Sequence, residues 1–190
     1  MTPAIALATW DSIATGRRIR MTAAIDAMTI LAWGDPGRGD ESVGPMLADR
    51  ISMLSKAGLT VIEATQLDSA LATGIQSSVP ILFLGASSAI EHGFVVEKLA
   101  PLSEPGTSSQ ALSPAGLLDA YASTSGLSAP PAYQLHIAGS SFEPGESLSD
   151  ATSLAVDAAW RFLRRLLAQP GDSWQATLDA ASVDTVPGDR

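Results

Sequence analysis

From Gly34 to Pro45 the chain reads Gly-Asp-Pro-Gly-Arg-Gly-Asp-Glu-Ser-Val-Gly-Pro, a loop that carries three carboxylates, Asp35, Asp40 and Glu41. Carboxylates in such a place can do two kinds of work. At the mouth of a helix they accept hydrogen bonds from free amides and favour its positive end, typically by about 0.3–1 kcal/mol. Projected into a crevice, they bind a hard or borderline cation, for which oxygen ligands are suited, or activate water. On spacing alone, capping is the favoured reading. Phosphate binding is not supported. The loop lacks the Gly-Lys-Ser/Thr ending of a phosphate loop and the glycine spacing of dinucleotide sites, and its acids repel phosphate.

Other side chains offer less. There is no cysteine, which excludes disulfides, thiolate zinc sites and cysteine nucleophiles. The two histidines are His92, in an expected surface loop, and His136, within an expected strand where a sheet-face role is favoured over ligation. Ser87, Ser88, Ser108 and Ser109 stand in no nucleophile-elbow sequence and read as loop chemistry.

The elements that must hold the acidic loop follow from hydrophobic patterning. Residues 29–33 form a short apolar run that Gly34 ends, as a buried parallel strand would. Val43, Leu47, Ile51 and Leu54 then recur at helical spacing up to Gly58. Further strands are expected at 59–62, at 81–84 with Gly85 as the stop, at an edge over 94–99, and last at 133–137. A weaker helix is expected over 68–75. Another starts with Ser113 as N-cap, Pro114 in its first position and Leu112 stapled onto Leu117. The final helix starts near Ser149, and Arg161, Arg164 and Arg165 crowd its end, where cations complement the helix dipole. Strands alternating with helices predict an α/β domain, a three-layer α/β/α sandwich with a mainly parallel sheet. Sites in such folds lie at the carboxyl ends of strands, which singles out residues 35–41, 63–66 and 85–88.

A chain of 190 residues with 46% apolar and 16% charged side chains suits one such domain. Its formal net charge of −9 opposes attraction to nucleic acid or anionic lipid and fits a basic protein segment or a cation. The start is a poor secretory signal, and no apolar stretch approaches the about 20 residues that span a bilayer, so a cytoplasmic protein is expected. Residues 1–27 read as an N-terminal extension of no assigned function, 28–168 as the domain, and 169–190 as a mobile tail, because the apolar period is lost beyond Pro170.

The stretch from Ile30 through Gly34-Asp35-Pro36 and Arg38-Gly39-Asp40-Glu41 to Val43-Gly44-Pro45 resembles the amino-terminal signature of the hydrogenase-maturation endopeptidases. In that family a strand leads into Gly-Asn-Pro, then Arg-Gly-Asp-Asp/Glu, then Val-Gly-Pro. Val61 to Leu67 resembles the end of the family's second strand, and Leu112-Ser113-Pro114 with Leu117-Leu118 the start of its fourth helix. Ser141-Phe142-Glu143-Pro144-Gly145-Glu146-Ser147-Leu148-Ser149 is similar to its Phe-Glu-Pro-Gly-Glu-x-Leu-Ser segment, although by itself that stretch reads as a turn before a helix. The likeness covers residues 28–168. It implies a phosphorylase/hydrolase-like three-layer fold. The implied activity is hydrolytic removal of a short carboxyl-terminal peptide from the large-subunit precursor of a nickel–iron hydrogenase, the nickel being supplied by that substrate.

The family gathers three side chains at the metal: an acid in the first loop, an aspartate after the third strand and a histidine before the fourth helix. Carried over by position, these are Glu41, Gly85 and Gln110, and Asp35 stands where the family has asparagine. Glycine offers no ligand, and the glutamine amide oxygen binds nickel far more weakly than imidazole. Two readings follow. In the first the chain is a protease, with Glu41 and Asp40 as the catalytic acids, Glu41 also facing the metal and Asp40 also supporting the loop, and Asp35 and Gln110 as auxiliary ligands. In the second it holds no metal and is a binding or assembly factor for a metalloenzyme precursor.

Overall fold

The apolar run that opens the domain is strand β1 (Met28–Trp33), and its residues Ile30, Leu31 and Ala32 are wholly buried. The computed structural model describes residues 27–100 and 112–183; residues 1–26 and Gln110 lie outside them. The other strands are β2 (Leu59–Ala64), β3 (Ile81–Ser87), β4 (Phe94–Leu99), β5 (Ala132–Ala138) and a two-residue β6 (Ser182–Val183). They form one sheet in the order β2-β1-β3-β5-β4-β6. The pairs β1–β2, β1–β3 and β3–β5 are parallel, and β4 runs antiparallel to β5. The carboxyl ends of four parallel strands therefore share one edge of the sheet.

Side chains alternate across the pleat and divide the core in two. Ile30, Leu82, Leu84, Tyr133 and Leu135 face one layer, built from α1 (Val43–Ser52), α3 (Asp150–Ala168) and α4 (Trp174–Ala181). Leu31, Ile81 and Phe83 face the other, where α2 (Pro114–Ser125) packs beside a 3-10 helix at Ser69–Gly74. The α/β/α sandwich with a mainly parallel sheet is thus observed.

Local signals set the helix starts. Ser113 Oγ accepts from Gly116 N at 3.1 Å with Pro114 at the first helical position, and Ser149 Oγ accepts from Thr152 N at 3.3 Å. Both caps stand where the sequence places them.

Four expectations change. The first helix, expected to include Leu54 and to run to Gly58, ends as α1 at Ser52, because the chain turns left-handed at Ser55 (φ +47°) and Leu54 lies past the packed stripe, 43% exposed. The helix expected over 68–75 is the single 3-10 helix Ser69–Gly74, started by the Asp68 carboxylate, which accepts from Ala70 N and Leu71 N. Strand β3 does not stop at Gly85 but continues to Ser87, because Gly85 pairs in register with His136 of β5. The tail expected to be mobile beyond Pro170 instead forms α4 and β6 up to Val183. Trp174 and Leu178, one helical turn apart, are buried, and β6 adds to the free edge of β4, which is therefore not the outermost strand. The Asp179 carboxylate fastens α4 further, accepting from the Tyr133 hydroxyl at 2.9 Å and from Lys98 Nζ at 2.6 Å.

Candidate functional site

At the end of β1 the chain turns through Gly34, whose φ of +139° suits glycine. A Cβ there would lie 2.0 Å from the carbonyl oxygen of Glu41, and one on Gly44 would lie 2.2 Å from the carbonyl oxygen of Trp33. These two glycines let the loop fold back against the strand end and bring Glu41 to the carboxyl edge of the sheet.

The three loop carboxylates part company there. Asp40 is fully buried and accepts five hydrogen bonds: from the amides of Ser140 (2.7 Å), Ser141 (2.9 Å) and Ser149 (2.8 Å), from Ser149 Oγ (3.0 Å) and from Thr152 Oγ1 (2.9 Å). The Thr152 hydroxyl also lies 2.9 Å from the Ala138 carbonyl, so its one proton serves two acceptors. Burial alone would raise the carboxyl pKa. The amides of Ser149, Ser140 and Ser141, with the Thr152 hydroxyl, outweigh it and hold the group at about 2. Asp40 is thus an anion that ties the first loop to the β5–α3 loop and to the start of α3, and the catalytic role expected of it does not hold, because no part of it is open to a ligand or lines the crevice. Asp35 accepts from Gly37 N at 2.8 Å, a local turn, and does not line the crevice.

Glu41 is the loop acid that reaches the crevice. The cavity measures about 500 Å³ and is walled by Trp33 and Gly34 after β1, Thr65 to Leu67 after β2, Ala86 to Ser88 at the end of β3, Leu112, and Phe142 beyond β5. Each segment singled out by position thus contributes. Arg38 braces the rim: its Nε and Nη2 donate to the Phe142 carbonyl at 3.2 and 3.0 Å, and Nε lies 3.7 Å from the Glu41 carboxylate. Ser141 Oγ donates to Glu146, which closes the same turn. His92 is exposed in the β3–β4 turn, away from these walls. His136 lies on β5 with Nε2 2.7 Å from Glu97 and Nδ1 3.2 Å from the Gln134 amide, so both ring nitrogens have partners on the sheet.

Trp33 has a role that sequence reading did not assign. A Cβ on Gly85 would lie 2.6–2.8 Å from three atoms of the Trp33 indole, so the ring fills the space that a side chain at position 85 would need. The indole also meets Phe83 edge-on, with centroids 6.4 Å apart. The sole signal in the sequence was a large aromatic where β1 ends. Among the described residues no three histidine, aspartate or glutamate side chains are placed to hold a metal ion, and Glu41 is the one ionisable group in the crevice wall. Within the described residues, one carboxylate with an arginine 3.7 Å away is not a ligand set for nickel.

The sequence matches no protein-family model and no curated protein. Solved structures do match. The chain is similar to the [NiFe] hydrogenase maturation protease HycI from Thermococcus kodakarensis KOD1, with 18% identity, a TM-score of 0.58, and 76% of this chain and 94% of that one covered. It is similar to the hydrogenase maturating endopeptidase HybD from E. coli, with 13% identity, a TM-score of 0.55 and coverage of 75% and 92%. It is also similar to the [NiFe] hydrogenase maturation protease HybD from Thermococcus kodakarensis, with 21% identity, a TM-score of 0.54 and coverage of 74% and 99%. At these identities the shared property is the fold, and at that level the resemblance read from the sequence is borne out.

Proposed function

We propose that the protein acts in the maturation of a nickel–iron hydrogenase or a related metalloenzyme, and that it binds the carboxyl-terminal segment of the large-subunit precursor as an assembly factor without cutting it. The observation that carries this reading is the Trp33 indole over Gly85. It puts an aromatic wall where the related proteases are expected to present an acid, and no ligand set remains around Glu41 among the described residues. The crevice suits recognition of a short peptide. Its volume lies within the about 300–1,000 Å³ of small-ligand pockets, Trp33, Leu67 and Phe142 give apolar contact, and Glu41, Gln66 and Ser88 give polar contacts that fix register. No helix among the described residues is long and apolar enough to cross a membrane, and the reading places the work in the cytoplasm, with the precursor.

Proteolysis is the second reading, and Glu41 favours it. Its carboxylate reaches the crevice, where it would activate water against a peptide carbonyl of a nickel-loaded precursor. Mixing the protein with nickel-loaded and nickel-free precursor separates the two. The assembly reading expects a complex of equal affinity with either form and no change in precursor mass. Shortening of the nickel-loaded form by the wild type, and not by Glu41→Ala, establishes proteolysis instead.

A further inference from the structure

The two ends of α3 differ in character. Its start lies beside the crevice, since the Ser149 amide bonds Asp40. Its far end is about 28 Å away at the usual helical rise, beyond the opposite edge of the sheet. There Arg161, Arg164 and Arg165, at i, i+3 and i+4, are all exposed and with Ala168 surround a depression of about 360 Å³. Arg164 also borders a second depression of about 320 Å³ with Lys56, Leu54 and Leu167. Among the described residues none of the three arginines has an ion-pair partner; the nearby helix acid, Asp157, lies 3.9 Å from Arg50 of α1. Like charges at this spacing repel one another. The helix dipole accounts only for Arg165, in the last turn, because its influence fades beyond one turn and Arg161 stands further back. Among the described residues this basic face, on a chain of net charge −9, is thus left without an ion-pair partner.

We infer that this face is a docking surface for an acidic, leucine-bearing segment of a partner protein. The guanidinium forks match carboxylates in geometry and charge. The apolar element comes from the same surface: Leu54 is 43% exposed beside Arg164, and Leu154, two turns back along the helix, is 71% exposed. A long polyanion such as nucleic acid is disfavoured, since it must approach the remaining acidic surface, whereas a short segment need not. The face is separate from the crevice, so a partner can occupy both, and its test does not depend on what the crevice binds.

The test is fluorescence anisotropy with a labelled peptide of alternating glutamate and leucine, added to the full chain. The expected result is saturable binding that weakens about tenfold or more in the Arg161→Gln/Arg164→Gln/Arg165→Gln variant and weakens less in the matching triple lysine variant, which keeps the charge and loses the forks. Raised salt should weaken it as well, since the contacts are exposed. Far-UV circular dichroism and the melting temperature should be unchanged, because all three positions are on the surface. Absence of wild-type binding, equal binding by the glutamine variant, or tighter binding of a single-stranded oligonucleotide of equal charge overturns the inference.

Discussion

Asp40 shows how a motif residue can be indispensable without touching a ligand. Its folded pKa of about 2 lies below the ordinary 3.8, so the carboxylate stabilises the fold fully above about pH 4, and that contribution is lost as pH falls through 2. The shift corresponds to stability on the order of 2 kcal/mol. Asp40→Asn places an amide before donors that need an acceptor, and the expected cost is about 3 kcal/mol at neutral pH. Urea titrations at pH 7 and pH 3 check this: wild type should lose stability between them, and the variant should lose less. Equal pH dependence in both would show that Asp40 does not carry the effect. Gly85 makes a second case. Gly85→Ala drives a methyl into the Trp33 ring and should cost about 1–3 kcal/mol, and clearly less in a Trp33→Ala background. Equal costs in the two backgrounds would refute the contact. The acidic loop was legible in the sequence because backbone turns and charge are local, whereas the separate roles of Asp40 and Glu41 were implied by the family resemblance and not by spacing, which favoured capping. The indole was not legible, since its contact with Gly85 joins two strands.

At the scale of elements, caps and strands were legible where one side chain or one apolar run decides them, as at Ser113, Ser149 and β1. The 3-10 helix at Ser69–Gly74 and the helix α4 were not. Each is short, and α4 has just two deep anchors, Trp174 and Leu178, after the helix-breaking Pro170-Gly171. Its stability comes from packing against α3 and β4, which periodicity over eight residues does not reveal. Trp174, the larger of the two anchors, should therefore contribute most to holding α4. Trp174→Ala is expected to cost about 3–5 kcal/mol. Trp174→Phe should cost much less, since the indole N–H is buried without a hydrogen-bond partner among the described residues and its loss removes an unsatisfied donor. Thermal melts of the two variants decide this; similar losses for both would mean that the indole N–H has a partner after all.

For the molecule as a whole, the sheet order places four strand ends along one edge, and that placement is set by pairing along the strands, away from the crevice side chains. Architecture and site chemistry are thus separable: the backbone that frames the crevice follows from strand order and two clamping glycines, while metal affinity depends on how many anionic or imidazole groups converge there. Here the convergence is one carboxylate deep among the described residues, with an arginine 3.7 Å away that opposes a cation. Calorimetric titration with nickel or cadmium should accordingly show no saturable binding in the sub-millimolar range, and Glu41→Ala should give the same trace as wild type. One equivalent of tight binding that disappears in Glu41→Ala would mean that groups outside the described residues complete a ligand set around this acid. The crevice would then be a metal site, and cleavage would become the leading account of its chemistry.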